Sequence, residues 1–200
     1  SWNVPGSIGC WRGCTLDRAV SNFESFKNHV SVLFWSLGNE SYAGDILVEM
    51  NRYYKEKDPD RLVHYEGVAE NRPYEDLISD MESQMYAPPE KIKEYLENNP
   101  KKPFILCEYM HDMGNSLGGM ESYIRLLDQY EDYQGGFIWD YIDQALFVKD
   151  EVTGRDVLRY GGDFDDRPSD YEFSGNGILF ADRTEKPAMQ EVRHYYGLRR

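Results

Sequence analysis

The sequence predicts an α/β fold in which strands and helices alternate, and three observations predict it. Short apolar runs recur along the chain, starting near residues 32, 62, 82, 104 and 136. Between them lie stretches whose apolar residues fall at helical spacing. Two of the runs end on carboxylates, Glu40 and Glu108, and parallel α/β folds collect polar groups at the C-terminal ends of their strands. The runs start 20 to 32 residues apart, against about 31 residues per unit in a (β/α)8, or TIM, barrel. Five strands cannot close a barrel of eight. The expectation is therefore a partial barrel, about strands 4 to 8, with residues 1–200 forming the C-terminal part of a barrel domain in a longer protein.

Taken in order, residues 1–14 read as a loop containing Gly, Pro and Trp. Leu16, Ala19, Val20, Phe23 and Phe26 form a helical stripe over residues 16–27, with Asp17 in the first turn. Residues 32–37 are the first strand. Residues 45–57 are a second helix, with Ile46, Leu47, Met50, Tyr53 and Tyr54 inward and Asp58-Pro59 as its stop. Residues 62–65 are a strand closed by Glu66-Gly67, residues 70–79 a loop or short helix, and residues 81–86 a third strand. Pro88-Pro89 opens a helix to about Asn98. Residues 104–108 form a strand buried on both faces, because a short apolar run after Lys101-Lys102-Pro103 has no polar side. A helix over 120–130 and a strand over 136–140 follow. The runs at 145–148 and 157–158 suggest a hairpin. Residues 161–170 read as an acidic, Gly/Pro-rich loop whose aspartates lack EF-hand spacing. Residues 178–180 suggest a short strand, and Pro187 opens a last helix to about Tyr196.

Composition narrows the partners. A formal charge of −14 argues against nucleic acid or an anionic membrane surface and suits a neutral substrate. No apolar run approaches the roughly 18 residues of a membrane span. The chain is rich in aromatics, with 16 Tyr, 9 Phe and 4 Trp; such faces stack on sugar rings, although a Tyr-rich core gives the same count. Cys10, Cys14 and Cys107 complete no zinc set and read as free thiols in a reducing compartment, so the expected location is the cytoplasm.

The stretch Phe104-Ile-Leu-Cys-Glu-Tyr-Met-His-Asp-Met-Gly-Asn-Ser116 carries the chemistry. A buried strand that delivers Glu108 into a turn with Tyr109, His111 and Asn115 is costly, since an unpaired buried carboxylate costs roughly several kcal/mol. The run ending in Gly38-Asn39-Glu40 repeats the design 68 residues upstream. Two glutamates at one face are the equipment for acid–base or nucleophilic work on a glycosidic bond. Capped or salt-bridged strand ends are the alternative.

The ordered set Ser36-Leu-Gly-Asn-Glu40, Tyr65-Glu66-Gly67, Met85-Tyr86, Ile105-Leu-Cys-Glu-Tyr109, Gly114-Asn115-Ser116-Leu117-Gly118-Gly119, Trp139-Asp140, Gly161-Gly162-Asp163 and Asn176-Gly177 resembles glycoside hydrolase family 2, specifically its large bacterial beta-galactosidases. The resemblance runs over nearly the whole chain. It implies retaining hydrolysis of terminal beta-D-galactosides, with Glu40 as general acid/base and Glu108 as nucleophile. Retention needs the two carboxyls about 5–5.5 Å apart.

The same resemblance implies that Asn39 meets the sugar 2-hydroxyl, Tyr86 bonds the nucleophile, His111 meets a sugar hydroxyl and Trp139 is the platform under the ring. It implies Mg2+ with Glu40 among its ligands, and Na+ held by Asn176 and the Phe173 carbonyl. The magnesium site is incomplete in this chain. It further implies the remainder of a parent chain and a homo-oligomer as partners. Val30, Met110 and Asp112 depart from the family pattern, the last two as residues that tune the rim around His111. The alternatives are a related beta-glucuronidase or beta-mannosidase, and a galactoside-binding or structural piece that does not turn over by itself.

Overall fold

The computed structural model describes residues 5–114 and 116–198; Asn115, which the sequence groups with Glu108 and His111, lies outside them. The chain folds as two compact units, one of residues up to Cys107 with Asp132–Gln134, the other Glu108–Glu131 with Gly135–Arg200.

In the first unit, helix α1 spans Arg12–Phe26, after a single 3-10 turn at Gly9–Trp11. It starts four residues before the apolar stripe does. Arg12 is held there by the Glu49 carboxylate, whose Oε1 accepts from Nε at 3.0 Å. The expected loop through residue 14 therefore ends sooner, and Cys14 is helical. Strand β1 is only Phe34–Ser36, and it pairs in parallel with β2, Leu62–His64, in the register Phe34 to Leu62, Trp35 to Val63 and Ser36 to His64.

Helix α2 covers Asp45–Lys57, the bounds expected. Asp45 sits in its first turn and Lys55 and Lys57 in its last, each charge complementing the helix dipole. Leu47, Val48, Met50 and Tyr54 on the buried face of α2 share one core with Ala19 and Phe23 of α1. Trp35 locks β1 into this core. Its ring stacks on Tyr54 with centroids 5.2 Å apart, its Nε1–H donates to Asp58 at 3.0 Å, and the Arg61 guanidinium lies 5.5 Å above it.

Beyond β2, residues 70–79 become a 3-10 turn at Arg72–Tyr74 and a one-turn helix α3, Glu75–Ile78. Strand β3 is Glu82–Met85 and helix α4 is Pro89–Glu97, with a proline at its first position as the Pro88-Pro89 pair suggested. Strand β4, Phe104–Tyr109, begins in this unit with Phe104, Ile105 and Leu106 all buried, as its sequence required. Strands β3, β4 and β5 form one sheet in that order.

In the second unit, helix α5 is Met120–Gln129 and strand β5, Tyr133–Ile138, ends there. β5 starts three residues earlier than expected, because Tyr133 is buried and its ring meets that of Phe104. Strands β6, Leu146–Lys149, and β7, Asp156–Arg159, make the expected antiparallel hairpin. Residues 178–180 form no full strand; Leu179 makes only single bridges, to Ile142 and to Glu185. Helix α6 is Met189–Gly197. Met120 and Ile124 of α5 pack with Ile178, Leu179 and Val192 in the core of this unit. Gly119, at φ 73°, offers α5 no capping side chain. Glu191 of α6 supplies the missing acceptor, taking the Met120 N–H at 2.8 Å. No helix among the described residues is long and apolar enough to cross a membrane.

Candidate active site

Glu40 lies four residues past β1 rather than at its end. It is exposed and its backbone adopts φ 50°, a conformation most side chains avoid. Three consecutive residues after β2 hold this turn. The Glu40 N–H donates to Glu66 Oε1 at 2.7 Å. The Ser41 N–H donates to the Tyr65 hydroxyl at 2.9 Å, and that hydroxyl in turn donates to the Ser41 carbonyl. A Cβ on Gly67 would fall 2.6 Å from the Ser41 oxygen, so only glycine permits the approach. Tyr65 and Glu66 are both buried. Burial, with the Glu66 charge second, raises the Tyr65 pKa and keeps the phenol neutral. Asn39 is exposed, its carbonyl accepting from the Ser41 hydroxyl at 3.3 Å.

Below this turn sits His64, whose burial lowers its pKa to about 4. The neutral ring bridges two hydroxyls, Ser36 at 2.9 Å through Nδ1 and Ser83 at 2.7 Å through Nε2. The ligand-type atoms of His64, Glu66 and Cys107 lie within 4.8 Å of one another. With both His64 nitrogens engaged by serines and Glu66 by the Glu40 amide, this cluster is a hydrogen-bonded interior first. Among the described residues it is the one group of three such side chains, and it does not include Glu40. The donor set for a magnesium ion therefore does not assemble from these residues. Tyr86, just past β3, is exposed at φ 52°.

In the second unit, Glu108 lies inside β4, half-buried and one residue before its end. Beyond it the structure brings together His111, Trp139, Phe173 and Asn176. The Trp139 N–H donates to Tyr109 O at 2.9 Å, and its carbonyl accepts from the Asp112 N–H at 3.0 Å. Its peptide to Asp140 is cis, and the indole is 36% exposed, not a core side chain. The His111 ring meets Phe173 edge-on at 6.2 Å. The Asp140 N–H donates to Asn176 O at 2.7 Å, and Asn176 Nδ2–H donates to the Phe173 carbonyl.

Asn176 is buried, and its Oδ1 has no hydrogen-bond partner among the described residues. An unpartnered buried amide oxygen is a hard, uncharged donor of the kind that suits an alkali cation, while the Phe173 carbonyl already accepts from Asn176 Nδ2–H. Of the two expected sodium ligands, the Asn176 oxygen has the character such an ion needs.

This arrangement is stapled from behind by a part-buried ion pair. Lys186 Nζ meets Asp143 Oδ1 at 2.8 Å, with both side chains about an eighth exposed at 12% and 13%. The same oxygen accepts the Gly177 N–H at 2.8 Å, and Lys186 also donates to Gly175 O at 3.2 Å. Asp112, expected at the rim, is buried instead, with Oδ2 unpartnered among the described residues. Burial above all raises its pKa, opposed by Lys186. Asp143 stood in a motif, Asp143-Gln144, that resembles the family, but nothing in the sequence pointed to its pairing with Lys186 or to Asp112 as a support. Glu66 stood in a recognised motif with no role attached to it. All three cysteines are free thiols.

Residues 1–199 match the family described as glycosyl hydrolases family 2, TIM barrel domain. The chain is 73% identical over 197 residues to a "Beta-galactosidase large subunit" of Latilactobacillus sakei, covering 98% of this chain and 32% of that protein. It is 66% identical over 198 residues to the protein of the same name in Leuconostoc lactis, covering 99% and 32%. The chain thus spans about a third of the length of the curated relatives it matches. Among solved structures, an FMN-binding beta-glucuronidase from Facaelibacterium prausnitzii L2-6 superposes with a TM-score of 0.65 at 15% identity, over 92% of this chain and 32% of that one. A family 2 beta-galacturonidase from Eisenbergiella tayi gives 0.61 at 15% identity, over 94% and 37%. Likeness at that identity carries the fold alone. The chain belongs to glycosyl hydrolases family 2, as a part of its TIM barrel domain.

Proposed function

We propose that the parent protein is a retaining beta-galactosidase, and that this chain is the C-terminal part of its catalytic barrel, with β1 to β5 taking the places of about strands 4 to 8. The observation that carries the reading is 66–73% identity to proteins named beta-galactosidase over 98% or more of this chain. The net charge of −14 favours a neutral galactoside over a uronic acid. The relatives' name, a large subunit, supports a second chain as partner in the parent assembly.

In this reading Glu40 gives its proton to the leaving glycosidic oxygen while the Glu108 carboxylate attacks the anomeric carbon. The C–O bond to the aglycone breaks and a galactosyl ester on Glu108 forms. Glu40, now ionised, takes a proton from water. That water attacks the same carbon, the ester bond breaks, and beta-galactose leaves. Asn39 and His111 hold sugar hydroxyls, Tyr86 bonds Glu108, and Trp139 supports the apolar face of the ring. Asn176 and the Phe173 carbonyl would hold Na+, which would supply a hard positive charge at the site. No step is assigned to magnesium.

We further expect the isolated 200-residue chain to be inactive or nearly so. Val30 and Leu33, on the approach to β1, stand 93% and 75% exposed, which fits a piece that needs more of its parent around it. The test is hydrolysis of a nitrophenyl beta-galactoside by the parent protein, followed by NMR. Beta-galactose as the first product supports the reading; alpha-galactose, or preference for the glucuronide, overturns it. The isolated chain should bind galactose weakly at most. Turnover by it that Glu108→Gln abolishes would overturn the inactivity expectation and support the nucleophile.

A further inference from the structure

We infer that Glu66 is a positioning residue that fixes the carboxyl of Glu40 by gripping its backbone. The inference rests on Glu40 being the acid/base and goes beyond it, because it states what holds that acid in place. A non-glycine residue at φ 50° sits in the left-handed region, which residues with a side chain disfavour. Left to itself, the backbone rotates out and carries the side chain with it. The Glu66 carboxyl oxygen, on a residue only 4% exposed, accepts the Glu40 N–H at 2.7 Å and opposes that rotation. Tyr65 does the same one residue later, through the two bonds between its hydroxyl and the Ser41 backbone. Gly67 permits the contact by having no Cβ. Three consecutive residues thus hold two, while the Glu40 side chain stays exposed to act.

Chemistry gives a readout that general loss of structure does not move. An alkoxide leaving group needs the proton that Glu40 supplies; dinitrophenolate leaves without it. A misplaced acid therefore slows the first class and spares the second. In the full-length parent protein, Glu66→Ala should lower kcat/KM for methyl beta-galactoside by about 10- to 100-fold. For 2,4-dinitrophenyl beta-galactoside the change should stay within about threefold. Glu66→Gln keeps an oxygen that accepts the same N–H, and should stay within about threefold on both substrates. Tyr65→Phe, which removes the bonds to Ser41 and keeps the ring, should show the same asymmetry to a smaller degree. Equal losses on both substrates, or no loss on either, would overturn the inference, as would a Glu66→Gln as damaging as Glu66→Ala. Glu40→Gln, assayed in parallel, separates the two readings. If it shows the asymmetry and Glu66→Ala does not, only the positioning role falls. If it shows none, the acid/base role falls and the inference with it.

Discussion

The two candidate catalytic glutamates are carried in opposite ways. Glu108 is part of the β4 backbone, half-buried in a six-residue strand, so the sheet itself sets its direction. Glu40 stands on an exposed turn at φ 50°, and the side chain of Glu66 and its neighbours set its direction. A group that must attack one carbon gains from the stiffness of a strand. A group that must give a proton and later take one tolerates a softer mount, provided something holds it. The difference predicts that Glu108 is vulnerable chiefly to its own replacement, and Glu40 to changes in its neighbours as well.

The largest effect should therefore fall on Glu108. Glu108→Gln removes the nucleophile, and turnover of every galactoside in the parent protein should fall by about ten-thousand-fold or more. Next comes Glu40→Ala, with a loss of about a hundred- to ten-thousand-fold on methyl beta-galactoside and far less on the dinitrophenyl substrate. Azide, a nucleophile that needs no general base, should restore turnover of the latter and yield beta-galactosyl azide. An equal loss on both substrates would mean that the two glutamates do not differ in role.

The supports of the two regions can be compared by stability. Lys186→Met leaves the part-buried Asp143 without its cation, and should cost about 1–2 kcal/mol, read as a lower urea midpoint. In the first unit His64 gives a pH signature. Its folded pKa, about 4, lies below the ordinary 6.5. The unfolded chain therefore takes up the proton first as pH falls. The stabilisation is complete above pH 6.5 and is lost between there and pH 4, amounting to about 3 kcal/mol. His64→Gln should flatten that acid slope, which urea midpoints from pH 7 to pH 4 would record. Glu191→Ala, which leaves the Met120 N–H without its cap, should cost about 1 kcal/mol.

Much of the fold was legible where one physical signal dominated. Helix α2 has its expected bounds because an apolar stripe, an acidic first turn and Asp58-Pro59 agree. Strand β4 was readable because an apolar run with no polar face can only be buried on both sides. Errors came where two signals competed. The expected strand starts at Gly136, yet β5 already runs through Tyr133, Gln134 and Gly135, where the burial of Tyr133 decides. Helix α1 starts before its apolar stripe because Arg12 is fixed by Glu49, a contact with no local signal. β1 is shorter than its apolar run, so Glu40 rides on a turn instead of a strand end.

The candidate site divides in the same way. Glu40, Glu108 and their companions were legible as motifs. The grip of Glu66 on the Glu40 amide joins residues 26 apart, and the pairing of Asp143 with Lys186 joins residues 43 apart. No periodicity within one chain segment announces either. Asp112 read as a rim residue because it stands beside His111 where the family pattern has small residues, and only packing places it inside.

The most direct test of the account is to trap the nucleophile. A 2-deoxy-2-fluoro beta-galactosyl fluoride slows both steps but the second more, so the sugar ester accumulates on the residue that attacks. Digestion and mass spectrometry of the inactivated parent protein should place one fluorosugar on the peptide containing Glu108, and Glu108→Gln should take up none. A label on any other residue, or complete turnover with no label, would contradict the account.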